Sequence, residues 1–318
     1  MKIAQKLREW FERENRDLPW RRTRDPYRIW LSEIMLQQTR VTAVIPYYER
    51  FLLKYPNYAA LAAAPEAELL AAWAGLGYYS RARNLQKAAQ KMVEDGGFPT
   101  SFAAIRELPG VGEYTAGAVA SIAFGLPEVG LDGNVVRVLS RVTGGMGDLR
   151  GVAVREMDRA APGTYQQALM ELGATLCVPK NPRCLLCPIS EHCRAYELGI
   201  VDRLPVKAAK AATIEEAKMI LWIEREGRVL LWQRGADSKR LAGFWELPEP
   251  EMVPGVAIGA EVGSFRHAIV NHRYEFRLVL ATVGGGWGGC EWIEVKAFET
   301  LAVSTVFRKS LKILGRKL

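Results

Sequence analysis

The chain has 318 residues, 49% of them hydrophobic, which is enough for two domains with separate cores and too apolar for a disordered chain. No apolar run approaches the roughly 20 residues of a membrane span, and the opening MKIAQKLREWFEREN has no signal-peptide apolar region, so a cytoplasmic protein with no membrane partner is expected. The formal charge of +8 favours an anionic partner, and with only His192, His267 and His272 present, histidine-based catalysis is excluded before His192.

Ile3, Leu7, Trp10 and Phe11 recur at helical spacing and predict a helix over 2–14. Further helices are predicted over 28–38, 41–54, 66–74, 80–94, 114–124, 133–142 and 164–176, with Gly or Pro at most breaks and no strand pattern among them. The segment 203–216, RLPVKAAKAATIEE, is charged and alanine-rich, and the linker is drawn at 205–216. Beyond it the period drops to two in AKMILWIER, GRVLLWQR and YEFRLVLATV. GGGWGG at 284–289 reads as a loop, and VFRKSLKILGRKL closes the chain as a helix. An all-α domain is therefore followed by a smaller α+β domain.

Residues 108–117 read LPGVGEYTAG. Leu108, Pro109, Gly110, Val111 and Gly112 permit a tight hairpin between helices, because both glycines can take positive φ and admit another backbone closely. Amides at the start of the next helix would then cradle a phosphate; a purely structural helix–turn–helix is the alternative. LDGNVVRVL at 131–139 places Asp132 one helix and a loop after Tyr114, at the same end of the domain. Asp132 heads a helix, where it is equally a cap, and nearby amides should hold its pKa low. On a helix, positions 29, 30, 33, 34 and 37 share a face, so Glu33 lies among Ile29, Trp30 and Ile34. Desolvation there would raise its pKa toward neutrality; on a solvated face it would be an ordinary carboxylate.

Four of the five cysteines, Cys177, Cys184, Cys187 and Cys193, are spaced C-x6-C-x2-C-x5-C. Disulfides do not suit a cytoplasmic chain, and a four-thiolate metal site does. The lopsided spacing is neither the paired C-x2-C of zinc knuckles nor a ferredoxin pattern, so zinc and iron–sulfur both stay open. Cys290 stands apart as a small buried hydrophobe.

The hairpin, the downstream aspartate and the cysteine loop together resemble the endonuclease III superfamily of helix-hairpin-helix, iron–sulfur DNA glycosylases. WLSEIMLQQTRVTAVIPYYERF at 30–51, GLGYYSRARN at 75–84 and the second domain are similar to its adenine-specific, MutY-type branch. The resemblance implies a glycosylase domain over 1–204, divided into a six-helix barrel at 21–126 and an iron–sulfur module from 1–20 and 127–204. It also implies a Nudix-like lesion-recognition domain over 217–318 and a [4Fe–4S] cluster on the four cysteines. The partner would be double-stranded DNA carrying A opposite 8-oxoguanine or G, bound by a monomer. Where bifunctional relatives carry a Schiff-base lysine, two residues past the hairpin's last glycine, this chain has Tyr114, which cannot form an imine.

Adenine leaves readily only when its ring is protonated, and its departure builds oxocarbenium-like charge, so two carboxylates in different states suit the chemistry. The resemblance makes Glu33 the acid, Asp132 the carboxylate facing the cation, and Asn134 and Tyr114 polar residues that orient them. Gln38 and Tyr78 match residues that enter the duplex as the base is flipped; a packing role competes for Tyr78. Arg21, Arg81, Arg83 and Arg137 are expected phosphate contacts. GFWELPE at 243–249 resembles a Nudix start, yet EMVPGVAIGAEVG supplies no glutamate-rich metal helix, so recognition is expected there, not hydrolysis. Asn271-His272 stands near the position of the branch's Phe-Ser-His reader, one residue out of register, and leaves His272 either a base reader or a strand-edge residue. A bifunctional glycosylase for oxidised pyrimidines and a non-catalytic, cluster-bearing lesion sensor are the alternatives.

Overall fold

The computed structural model describes residues 3–206, 212–235, 238, 241–269, 271–299 and 301–316, which form two compact units, Met1–Ala208 and Ala209–Leu318. The first is helical: α1 Ile3–Glu14, α2 Pro26–Leu36, α3 Val41–Lys54, α4 Tyr58–Ala62, α5 Glu66–Trp73, α6 Ser80–Glu94, α7 Phe102–Arg106, α8 Glu113–Phe124, α9 Gly133–Thr143, α10 Leu149–Glu156, α11 Pro162–Thr175 and α12 Arg194–Glu197. The eight predicted helices are all present. The unpredicted ones are short, and two of them start at a side-chain cap: Asn57 accepts from the Ala60 amide at the head of α4, and Ser101 from Ala104 at the head of α7.

Two hydrophobic cores fill this unit. One gathers residues from Leu18 through Ala120, with Trp30, Leu31, Met35, Trp73 and Val119 fully enclosed. The other joins Leu7, Trp10 and Phe11 of α1 to Val135, Val138, Tyr165 and Leu169 of α9 and α11. The chain thus starts in the second core, builds the first, and returns. The return depends on a backbone contact between α8 and residues 129–130. A Cβ on Gly117 would lie 2.5 Å from the Val129 carbonyl oxygen, and one on Gly130 would lie 2.6 Å from the Tyr114 carbonyl oxygen. Gln166, fully buried on α11, grips Gly130 from the other side, accepting from its amide at 3.0 Å and donating to its carbonyl at 2.9 Å.

The second unit is α+β. Its strands are β1 Ile214–Trp222, β2 Glu224–Arg225, β3 Arg228–Gln233, β4 Trp245–Glu246, β5 Ala257–Ile269, β6 His272–Thr282 and β7 Cys290–Glu294, with one helix, α13 Thr305–Ile313. One sheet runs β1-β6-β5, with β1 parallel to β6 and β5 antiparallel to it. The other centres on β3, paired antiparallel with β2, β4 and β7. Phe307 and Leu311 of α13 pack with Ile220, Trp222, Phe276 and Leu278 in one core, and Leu221, Ile223, Val253 and Val279 form a second.

Two boundaries differ from expectation. The linker was drawn through residue 216, but Ile214, Glu215 and Glu216 are strand residues in register with His272, Arg273 and Tyr274. That end of β1 lies largely exposed, so it lacks the alternation that reveals a strand; linker residues 207–211 lie outside the described residues. β5 was not foreseen, because irregular register around Glu261 and Gly263 breaks its period.

Gly130→Ala should lower stability by about 1–3 kcal/mol or more, since the methyl must displace backbone. Urea unfolding of the variant beside the parent measures this, and an unchanged midpoint would contradict the close contact.

Candidate active site

Between the two cores of the helical unit lies a cleft of about 580 Å³, lined among others by Glu33, Gln38, Tyr114, Asp132, Asn134 and Glu171. Glu33 enters it from the middle of α2 and is only 3% exposed. Its Oε2 accepts the Tyr114 hydroxyl at 2.5 Å from the first turn of α8. Burial raises the Glu33 carboxyl to about 7, aided by the Asp132 charge and opposed by the Tyr114 hydrogen bond and Arg21. Burial beside these carboxylates also holds the Tyr114 phenol well above its ordinary value, so it stays a donor.

Asp132 caps α9, with Oδ1 accepting from the Val135 amide at 2.7 Å and Oδ2 from Asn134 Nδ2 at 2.9 Å. Its pKa was expected to be low. Burial instead raises it, against the lowering influence of those donors and of Arg137. The cap places the carboxylate, but the cleft wall desolvates it as well.

The four arginines expected at phosphates all have partners within the protein, that of Arg83 being an exposed ion pair. Arg137 donates to the carbonyls of Cys177 and Gly173 and to Asn134 Oδ1, each at 2.7 Å. It therefore joins the cysteine segment to the Asn134–Asp132 pair. Arg81 is buried among backbone carbonyls. Arg83 is ion-paired with Glu66 at 2.6 Å. Arg21 binds Glu171 at 2.6 Å beside Arg16, whose Nε and Nη2 reach the same carboxylate at 2.7 Å. Sequence reading missed this triad on the cleft wall, since its members lie about 150 positions apart. Burial of Glu171 opposes ionisation, but the two guanidinium donors outweigh it and hold the carboxyl down to about 2.

Gln38 and Tyr78 occupy separate loops, and both have left-handed backbone, with φ of 56° and 49°. Such a conformation is uncommon for a side-chain-bearing residue and costs energy; Asn181, Glu226 and Leu241 share it. Tyr78 is 56% exposed, unlike a core packing anchor, with the Arg81 guanidinium over its ring at 5.7 Å. In the hairpin, Gly110 has φ of 75°, and a Cβ there would meet Asn84 Cβ at 2.6 Å. Gly112 departs from expectation: its φ of −91° and ψ of 178° are extended, and it caps α8 facing open space. Leu108 and Val111 are core side chains, so the backbone, the exposed glycines and the half-buried Pro109 of this turn face outward.

Cys177, Cys184, Cys187 and Cys193 line one small cavity with Arg141 and Tyr196, and none is in a disulfide. Arg141 Nη1 donates to Cys177 Sγ at 3.3 Å, and amides of Ile189, Ala195 and Tyr196 are directed at Cys187 and Cys193. Burial and the neighbouring thiols push the Cys187 thiol up to about 12, a cost that a bound cationic centre would reverse. Among the described residues no three His, Cys, Asp or Glu side chains are set to hold a single metal ion. The thiols ring a cavity.

In the second unit His272 opens β6, with Nδ1 2.5 Å from Glu216 Oε1 and its ring stacked on Tyr274. It lies directly after the β5–β6 turn, half-buried on the sheet face that also carries Phe265 and Phe276.

Because the folded protein holds the Glu33 proton up to about 7 and an unfolded glutamate releases it near its ordinary 4.5, stability contributed by protonation is lost as pH rises across that window. Glu33→Gln should therefore be more stable than the parent at pH 8 by about 2–3 kcal/mol, with the difference closing at pH values below the unfolded pKa. Denaturant titrations at both pH extremes test this, and an equal difference at the two would refute it.

Residues 31–156 match the model of the HhH-GPD superfamily of base excision DNA repair proteins. The chain is 34% identical to the adenine DNA glycosylase of Homo sapiens, over 96% of this chain and 73% of that protein. Among solved structures, a thermostable thymine-DNA glycosylase is 32% identical with a TM-score of 0.58, covering 62% of this chain and 95% of its own. Endonuclease III trapped on DNA, at 23% identity and a TM-score of 0.54 over 62% of this chain and 95% of its own, shares the fold. No described helix is long and apolar enough to cross a membrane. The hairpin, the paired carboxylates, the matching superfamily model and this breadth of identity place the chain in the adenine DNA glycosylase family.

Proposed function

We propose that this chain hydrolyses the N-glycosidic bond of adenine opposite 8-oxoguanine, and more weakly opposite G, as a monofunctional glycosylase that leaves an abasic site. The observation that carries this reading is one cleft holding two desolvated carboxyls with different hydrogen-bond support. Glu33 is raised to about 7 and meets a single donor, Tyr114, whereas Asp132 is anchored by the Val135 amide and Asn134. Near neutral pH Glu33 carries a proton to give to an adenine ring nitrogen, so the base leaves with the bonding electron pair and no net negative charge. Asp132, the carboxylate held by two protein donors, faces the positive charge left on the sugar. Water then adds to the anomeric carbon, and its proton passes to a carboxylate. Tyr114 fixes the Glu33 oxygen and offers no amine, so no imine forms and the strand is not cut.

The duplex is read as entering over the Gln38, Tyr78 and Gly110–Gly112 loops, where strained and exposed backbone faces outward. The second unit is read as a Nudix-like recognition domain, with His272 and its aromatic neighbours as the candidate reader of 8-oxoguanine. A [4Fe–4S] cluster is read onto Cys177, Cys184, Cys187 and Cys193: one thiolate per iron suits a ring of sulfurs around a cavity, and amide donors toward sulfur suit a cluster. When bound it would hold the 177–193 loop as a rigid frame. A monomer acting on cytoplasmic, chromosomal DNA completes the reading.

The test is a single-turnover reaction, protein in excess, on one duplex with A opposite 8-oxoguanine, resolved with and without alkali. Strand breaks only after alkali are expected, and breaks without alkali would return the bifunctional alternative. Glu33→Gln and Asp132→Asn should each retain binding and lose base release; tight binding with no release by the parent would leave a lesion sensor. The rate should fall as pH rises through about 7, as Glu33 loses its proton. Elemental analysis should find iron and labile sulfide in the proportion of the cluster formula, and zinc in their place would overturn the cofactor reading.

A further inference from the structure

Arg81 lies in the first turn of α6, where the helix dipole disfavours a cation, and it is 8% exposed. Its hydrogen-bond partners include no carboxylate. Nη1 donates to the carbonyls of Ile34 and Met35 at 2.9 Å and of Gln37 at 2.6 Å. Nη2 donates to Thr39 Oγ1 at 3.2 Å and to the carbonyls of Leu76 at 3.0 Å and Gly77 at 3.2 Å. The guanidinium lies over the Trp73 ring at 5.3 Å and the Tyr78 ring at 5.7 Å. Burial lowers its pKa, and its Nε is buried without a partner. An isolated buried charge of this kind is expensive for a protein to keep.

The acceptors fall into two sets. Ile34 and Met35 close α2, and Gln37 and Thr39 flank Gln38 in the loop after it. Leu76 and Gly77 immediately precede Tyr78 in the loop before α6. Gln38 and Tyr78 are the two left-handed, side-chain-bearing residues of those loops. One planar group with donors on both edges thus bridges oxygens of both loops, and it stacks on one of the two side chains it registers. A lysine has the charge but neither the fork nor the flat face.

We propose that Arg81 is a positioning residue that holds Gln38 and Tyr78 at a fixed separation so that they enter the duplex as a unit, and so sets discrimination for the mismatched site over intact DNA. This rests on the duplex-entry reading of Gln38 and Tyr78 given above.

The experiment is a double-mutant cycle read as Kd for two duplexes of one sequence. One carries uncleavable 2′-fluoro-2′-deoxyadenosine opposite 8-oxoguanine, and the other is fully matched. Arg81→Lys should weaken binding of the mismatched duplex on the order of tenfold, the size of a coupling between contacting residues, and leave the matched duplex unchanged. In a background carrying Gln38→Ala and Tyr78→Ala, the same Arg81→Lys change should have almost no effect. An equal effect in both backgrounds would make Arg81 a general fold stabiliser and overturn the proposal. If Gln38→Ala and Tyr78→Ala alone leave mismatch affinity untouched, the duplex-entry reading fails and the proposal falls with it, a pattern distinct from the first. Should Arg81→Lys not fold, Thr39→Val removes one acceptor at constant shape; a smaller loss confined to the mismatched duplex is expected, and no loss would overturn the proposal.

Discussion

The active cleft depends on a contact with no side chains in it. Gly117 and Gly130 let the backbone of α8 and the segment leading to α9 approach more closely than any Cβ would allow, and Gln166 grips that segment from behind. The approach is what brings Tyr114, in the first turn of α8, and Asp132, two residues past Gly130, to one wall. Glu33 arrives on α2 from the other core, and the cleft is the seam between cores that fold from interleaved stretches of chain.

Within that seam the state of each ionisable group follows from its partners. Glu171 and Glu33 are both glutamates on the cleft wall. Two guanidinium groups bonded to the first hold it near 2, while the second, with one phenol donor and Arg21 acting only through its charge, stays near 7. Burial disfavours the charge on both; the opposed outcomes come from whether a fixed counter-charge repays the desolvation. Arg81 is the third case, a cation satisfied by carbonyl dipoles and aromatic faces, and such an arrangement constrains backbone more than it neutralises charge.

The arginines carry a related lesson. With a formal charge of +8, surface phosphate contacts were the natural expectation, yet Arg21, Arg81, Arg83 and Arg137 are all spent within the helical unit. Three of them fasten segments that face the cleft or the outward loops: Arg21 to α11, Arg81 across two loops, Arg137 from the cysteine segment to Asn134. The guanidinium fork suits this because it satisfies several fixed acceptors at once.

The amino-acid sequence alone determined the helical unit followed by an α+β unit, because apolar period is a local property and survives without tertiary context. It also singled out Glu33 on an apolar helix face, Asp132 at a helix start and four clustered cysteines. α4 and α7 escaped it because they hold too few residues for a period, and the longer β5 because it carries a break in its own. Only the tertiary structure decided which charges are paired. The Arg16–Glu171–Arg21 triad, the raised pKa of Asp132 and the six acceptors around Arg81 all join residues distant in the chain or depend on burial. Burial and pairing belong to the packed molecule, where desolvation and partner geometry act together, and no single stretch of sequence contains both.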